Sequence, residues 1–344
     1  MRSRNLPGMR TAFHGTQTGC SLLDRCQIST FDAYAENLQR ANIEAILTAP
    51  QRNGWSVARC PFGRVILEFC SEGGANITMG SSRLDVIEFR LPAAGSPDLV
   101  RVNGRPVRRD EIVIIPPGTD FIFRSSGPHK WVSVLLAINA DHQSATHFSE
   151  DVIAPLGKCV SVITTMPGLL ARIERIATDM ERNANSVLYP EITRSADYRE
   201  QFLIDMLFSA VAGRTDEWPR SATRSWLTSQ KIVHRALERI QAHNKTIHVE
   251  ELCVAIGTTN RSLRRAFHTF FGLGPSNFLK LQQLNRVRRE LLAQSAPGMT
   301  ITSVLASHDI MEFGRFAGEY RTLFGELPSQ TLRKHVEGAP EQPV

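Results

Sequence analysis

The stretch Val249–Phe271, VEELCVAIGTTNRSLRRAFHTFF, decides how the rest of the chain is read. Val249, Leu252, Cys253 and Ile256 stand at i, i+3, i+4 and i+7, one apolar face of a short helix. Gly257 follows where a helix C-cap favours glycine, and Thr259 suits the N-cap of a second helix. Leu263, Phe267, Phe270 and Phe271 form the second helix's inner face. Its outer face carries Asn260, Arg261, Arg264, Arg265 and His268. Two short helices joined by a glycine-led turn, the second with a basic outer face, are the pattern of a helix-turn-helix with a recognition helix. A plain helical hairpin with a solvated face has the same spacing, so the flanking sequence has to decide.

After Phe271 come GLGPSNFLKLQQLNRVRRELL and then TITSVLASHDIMEFGRFAGEYRTLFGELPSQTLRKH. On these residues the chain resembles the AraC/XylS family of bacterial transcription regulators. Phe267, Gly272, Gly274, Pro275, Phe278, Leu279, Leu284, Arg288 and Leu291 carry the likeness in the first helix-turn-helix and linker helix. Ile301, Val304, Ile310, Phe316, Tyr320, Phe324, Gly325 and Pro328 carry it in the second unit. The wording of the linker helix looks most like that of ethanolamine-operon regulators.

The resemblance implies a double-stranded DNA partner and places Arg261, Arg264 and Arg265 at base- or groove-facing positions. Arginine's fork suits guanine O6 and N7. Asn260, at the helix start, falls nearer the DNA backbone. The expected linker helix, about Asn277 to Leu292, would be roughly 24 Å long, enough to set two recognition helices one turn of duplex apart. Its Arg286, Arg288 and Arg289 read chiefly as structural ion pairs. In the second unit Asp309 stands where the family usually has glycine, and Asp tolerates a left-handed cap. Gly318 takes a place where relatives often have arginine, which leaves Arg315 as the candidate base contact on the expected helix Glu312–Phe324.

Charge agrees with this division. Residues 226–335 hold 15 Lys and Arg against 8 Asp and Glu, while the rest of the chain holds 25 against 26. The net +6 therefore belongs to the C-terminal region, the electrostatic footprint of a nucleic-acid binder. No run of 18 apolar residues exists, so no membrane partner is expected, and the N-terminus lacks an apolar signal core; the expected location is cytoplasmic. The six cysteines, Cys20, Cys26, Cys60, Cys70, Cys159 and Cys253, form no C-x-x-C pair. Cys20 and Cys26 could form a redox pair, but the scatter reads as reduced thiols.

Upstream, residues 1–30 show no periodicity and are expected to be a poorly ordered leader. Phe31–Thr48 reads as strand or helix, ambiguously. From Trp55 the period shifts toward two, with candidate strands Trp55–Arg59, Arg64–Phe69, Ala75–Met79, Leu84–Leu91, Leu99–Val102, Glu111–Ile115, Asp120–Phe123 and Trp131–Ile138. Turn signals such as Asn103-Gly104 and Pro116-Pro117-Gly118 separate them. Short strands so spaced suggest a small barrel or jelly roll, and the resemblance implies a cupin-like barrel. A cupin enzyme needs a cluster of His with a carboxylate to hold metal. Only His129, His142 and His147 stand in this part, all late, so the barrel reads as a binding shell. Leu169–Arg182 and Tyr198–Val211 are amphipathic stripes that could pack on the barrel, form a dimerisation element, or both. Arg214–Ser229, interrupted by Pro219, reads as a linker.

The expected fold class is α+β: an N-terminal cupin-like β-barrel with helices, then an all-α domain of two helix-turn-helix units joined by a linker helix. The expected divisions are a leader at 1–30, an effector-binding domain at 31–165, a helical dimerisation element at 166–213, a linker at 214–229 and a DNA-binding domain at 230–335. The expected function is a ligand-responsive activator, not an enzyme, with no cofactor or metal. Its expected partners are DNA, a small-molecule effector, RNA polymerase and a second copy in a homodimer. A cupin-type enzyme or a DNA-repair protein fused to a DNA-binding domain is the rival.

Overall fold

The structure is a computed structural model that describes residues 24–38, 43–93, 99–138, 156–165, 168–184, 189–212, 223–242, 247–293 and 300–338. Its N-terminal part is built from antiparallel strands. These are β1 (Asp24–Ile28), β2 (Ile43–Leu47), β3 (Trp55–Phe62), β4 (Val65–Glu72), β5 (Asn76–Ser81), β6 (Val86–Pro92), β7 (Val100–Val102), β8 (Arg105–Pro106), β9 (Glu111–Ile115), β10 (Asp120–Ser125), β11 (His129–Ala137) and β12 (Ser161–Thr164). They form a seven-stranded sheet, in the order β1-β3-β4-β11-β6-β9-β12, and a five-stranded one, β2-β5-β10-β7-β8.

Period-two alternation explains how the larger sheet is covered. On β6, Ile87, Phe89 and Leu91 are buried in the outer core, while Glu88 and Arg90 point the other way, toward the smaller sheet. Helices α2 (Leu169–Ala184) and α3 (Tyr189–Ala212) lay Leu169, Ile173, Leu203, Ile204 and Leu207 on that outer apolar face. The packing alternative for these two stripes therefore holds. The spacing of the second stripe puts Phe202 with Leu203, Met206, Leu207 and Ala210, but Phe202 is exposed.

Several local expectations need correction. Strand β1 occupies the end of the expected leader and pairs antiparallel with β3, Cys26 opposite Val57. Backbone pairing supplied by β3 orders a segment whose own pattern is weak; residues 1–23, Cys20 included, lie outside the described residues. The ambiguous stretch after Thr30 is both helix and strand: α1 (Phe31–Asn37), capped by Thr30, then β2. Strand β12 was not expected; it pairs with β9, Val162 opposite Val113.

The expected linker also ends earlier. Helix α4 (Arg224–Ala242) begins within it, with the Thr223 hydroxyl accepting from the Trp226 N–H at 3.2 Å. Trp226 anchors this turn, since its indole N–H donates to the Asn103 carbonyl at 2.9 Å and its ring stacks on Phe270. The rest of the expected linker that precedes residue 223, and His142 and His147, lie outside the described residues.

The C-terminal part is helical: α5 (Val249–Ile256), α6 (Asn260–Phe271), α7 (Pro275–Ala293), α8 (Ile301–Ser307), α9 (Phe313–Phe324) and α10 (Pro328–Gly338) follow α4. Its core runs without interruption into that of the N-terminal part, from Phe267, Phe271 and Phe278 to Ile46, Ile77 and Trp55. No described helix is long and apolar enough to cross a membrane.

Candidate nucleic-acid interface

The turn between α5 and α6 forms as its residue types require. Gly257 has φ +65°, a left-handed cap that glycine adopts without a Cβ penalty. Thr258 N–H returns to the Cys253 carbonyl at 3.0 Å, closing the end of α5. The Thr259 hydroxyl accepts from Ser262 N–H at 3.2 Å and starts α6. Helix α6 then buries Leu263, Ala266, Phe267, Phe270 and Phe271. Arg261, Arg264, Arg265 and His268 are left on the exposed face and Asn260 half-buried at the first turn. Positions 261, 264, 265 and 268 share one side of a helix. Among the described residues, no carboxylate pairs with these three arginines, so their donors face solvent.

Helix α7 is the spine, about 28 Å long at its observed length. Phe278 packs on Phe271 and Phe267, joining α7 to α6. Arg288, 8 % exposed, joins α7 to the last helices. Its Nη1 donates to Glu326 at 2.9 Å and Tyr320 at 3.2 Å, and its guanidinium lies over the Phe324 ring. Its Nε donates to Asp32 of α1 at 2.7 Å. Burial alone would lower the Arg288 pKa; Asp32 and Glu326 outweigh it and hold the group firmly charged. The ion-pair reading of the three linker arginines agrees with this geometry, for Arg286 and Arg289 both reach Glu44 of β2.

The α8–α9 pair has a different turn. Asp309 takes φ +56°, the left-handed position where the resemblance expects glycine. Ile310 N–H returns to the Leu305 carbonyl at 3.0 Å. Helix α9 buries Phe316, Tyr320 and Leu323. Gly314 and Gly318 lie on its exposed side with open space where a Cβ would stand. Arg315 is exposed too, but pairs with Glu312 at 3.2 Å and Glu319 at 3.5 Å along its own helix. The structure thus brings Asn260, Arg261, Arg264, Arg265 and His268 together on α6 and sets Arg315 apart on α9 with its charge partly engaged.

Sequence reasoning did not single out what holds the helical part to the sheets. Asn285 interrupts the apolar run Leu281, Leu284, Val287, Leu291 and is itself buried, a signal that was legible. Its partner on β2 was not. Gln282, also buried, donates to Glu44 at 3.2 Å.

A second feature is a cavity of about 80 Å³ between the two sheets, open to solvent at one side. Its apolar wall includes Ile43, Phe121, Phe123 and Trp131, and its polar wall Glu72, Glu88, Arg90 and His129. Arg90 is sandwiched between the rings of Phe123 and Trp131, 4.2 and 4.1 Å from their centres, and pairs with Glu88 at 2.8 Å. Glu72 accepts from the Tyr34 hydroxyl at 2.9 Å and the Trp131 indole at 2.7 Å. Burial would raise the Glu72 carboxyl, but His129 and the hydrogen bonds from Asn76 and Trp131 hold it below its ordinary value. Among the described residues, no group of three or more His, Cys, Asp or Glu is placed to hold a metal ion.

Comparison with known proteins follows these two features unevenly. A family model described as a helix-turn-helix domain matches residues 252–334. The probable thc operon regulatory protein of Rhodococcus erythropolis is 31% identical over 103 residues, 30% of this chain and 31% of that protein. The chain thus spans about a third of that relative's length. The XylDLEGF operon transcriptional activator 2 of Pseudomonas putida is 35% identical over 113 residues, 33% of this chain and 72% of that protein. A solved structure of a probable AraC family transcriptional regulator from Rhodopseudomonas palustris is 31% identical, covers 30% of this chain and 96% of that one, and has a TM-score of 0.28. The capped turn and the basic face of α6 fall within the residues that the family model matches, and the Pseudomonas putida activator is covered over 72% of its length at 35% identity: the chain belongs to the AraC/XylS family of transcriptional regulators.

Proposed function

We propose that the chain is a sequence-specific transcription regulator, acting as a ligand-responsive activator, and that α6 is its main base-reading element. The observation that carries this is the exposed row Arg261, Arg264, Arg265 and His268 on a helix whose other face is locked in the core. Helices α8 and α9 would be a second helix-turn-helix unit, with α7 spacing the two recognition helices along successive major-groove segments. Asn260 would serve at the helix start and Arg315 as the lesser contact. In this reading the DNA-binding domain starts at α4 and runs to about residue 335. The two sheets would form a cupin-like shell around an effector, α2 and α3 would mediate a homodimer, and RNA polymerase would be recruited at the promoter from the cytoplasm.

Ligand response has a physical route. Ile43 lines the cavity, and Glu44, next on the same strand, faces away and holds Gln282, Arg286 and Arg289 of α7. An effector that shifts β2 would shift the hold on the spine of the DNA-binding region.

Binding-site selection with the full chain tests the DNA reading. A defined duplex site is expected, with affinity falling steeply as salt rises through counterion release. A folded chain that selects no sequence would overturn it. Thermal-shift screening with small metabolites, amino alcohols and quaternary amines included, tests the cavity. A true effector raises the melting temperature by mass action. Sedimentation at micromolar concentration tests the dimer.

A further inference from the structure

The exposed end of α9 presents apolar side chains where a recognition helix presents its base contacts. Met311 is 80% exposed and Phe313 41% exposed; among the described residues Leu84, Phe202, Leu227 and Val254 are exposed too, but only Met311 and Phe313 stand together at one end of a helix. Both flank Glu312, the N-cap of α9, and so sit at the end of the helix that points into a groove when such a helix docks. The neighbouring polar choice is limited. Arg315 is engaged by Glu312 on one side and Glu319 on the other, and Gly314 and Gly318 offer no side chain at all. Open space at both glycines lets the backbone of α9 approach a surface closely.

Apolar atoms in the major groove have one complementary feature to meet, the 5-methyl group of thymine. We propose that Met311 and Phe313 read thymine methyl groups, so that the second half-site is specified by apolar contact instead of by arginine forks. The inference rests on the reading of α9 as a recognition helix and extends it to the chemistry of the bases read. Two carboxylates beside the contact, Glu312 and Glu319, reinforce the choice. They compete with guanine for Arg315 and would repel a phosphate approached without it, which favours a short, apolar point of contact over a run of backbone contacts.

Replacement of thymine by deoxyuridine removes the methyl and leaves the hydrogen-bonding pattern intact. The full chain is titrated against its selected duplex and against duplexes with single deoxyuridine replacements across the second half-site. At one or two positions the replacement is expected to weaken binding about fourfold each, the weight of one buried methyl-sized group. In the M311A or F313A chain the replacement at the position read by the removed side chain should then have no effect, while Phe313→Leu, which keeps an apolar contact, retains part of it. Tight, selective binding by the unsubstituted chain with no sensitivity to any of these replacements overturns the methyl contact and leaves DNA binding standing. Failure to bind any duplex overturns the DNA reading itself and this inference with it. If M311A or F313A binds DNA normally and keeps the deoxyuridine effect, that residue is not the contact, and a protein partner becomes the better occupant of the patch.

Discussion

The side-chain amide of Asn285 pairs with both backbone groups of Leu47. Leu47 N–H donates to Asn285 Oδ1 at 2.9 Å, and Asn285 Nδ2 donates to the Leu47 carbonyl at 3.0 Å. Strand β2 is an edge of the smaller sheet, so Leu47 has no strand neighbour on that side. One residue of α7 thus does what another strand would do, and ties the DNA-reading part to the sheets. The surroundings are dry: Asn285 is 3% exposed and Leu47 2%.

Asn285→Ala is expected to orphan the N–H and the carbonyl of Leu47. Each buried unsatisfied group costs about 1–3 kcal/mol. Urea unfolding of the full chain should show a loss in that range or up to twice it. An unchanged midpoint would mean that β2 and α7 are not joined in solution.

Arg288→Met should be more damaging. The change removes the largely buried guanidinium with which both Asp32 and Glu326 pair. Breaking one side of such a network costs about 3–5 kcal/mol. Thermal denaturation reads this, and restoring neutrality with Asp32→Asn in the same chain should recover part of the loss.

Gly257→Ala tests the turn before the recognition helix. At φ +65° an L-residue with a Cβ carries about 1–2 kcal/mol of strain, and no other atom stands within 4 Å of the new methyl to add to it. The measured destabilisation should therefore match the backbone term alone. A much larger loss would show that the turn packs more tightly than this geometry.

Acid stability should depend on Glu72. Its folded pKa is depressed, by His129 first among the favourable causes and by the hydrogen bonds from Asn76 and Trp131. A depressed carboxyl stabilises the fold above its unfolded value and loses that contribution as the pH falls through the folded one. The loss should thus begin as the pH drops below about 4.3, the ordinary glutamate value. Glu72→Gln should flatten the acid limb of a stability–pH curve in that window. An acid limb identical to that of the parent chain would rule out Glu72 as its source.

On α6, Arg264→Ala or Arg265→Ala should cost about 1–3 kcal/mol of binding and relax discrimination at one or two base pairs. Titrations on the selected site and its single-base variants check this. Equal weakening on every sequence would make both residues phosphate contacts. Arg315→Ala should act more weakly, since Glu312 and Glu319 already engage that side chain. Gly318→Arg should, if anything, strengthen binding, because the position is exposed, helical and open.

The helical part was the more legible half of the sequence because its signals are local. Gly257, Thr259 and the Leu263–Phe267–Phe271 stripe act within a turn or two of one another, and the structure has each in its expected role. Even Asp309, a departure from the family pattern, takes the left-handed cap that its short polar side chain tolerates. Most strands were legible too, from turn residues and alternation. Strands β1 and β12 were not, because each is ordered by its neighbour in the larger sheet rather than by its own pattern.

What the chain's own residues determined, then, is the helices, most of the strands and which face of α6 stays exposed, since capping, periodicity and charge work over a few residues. Only the tertiary structure decided what Arg288, Arg289 and Asn285 hold. Their partners Asp32, Glu44 and Leu47 stand 256, 245 and 238 residues away in sequence. No local pattern encodes a pairing over such a distance. For Arg288 and Asn285 it arises when packing of β2 and α1 on α7 removes water from both sides, so that the buried guanidinium and amide must find partners across the contact; Arg289, at its exposed rim, shares Glu44 with Gln282 and Arg286.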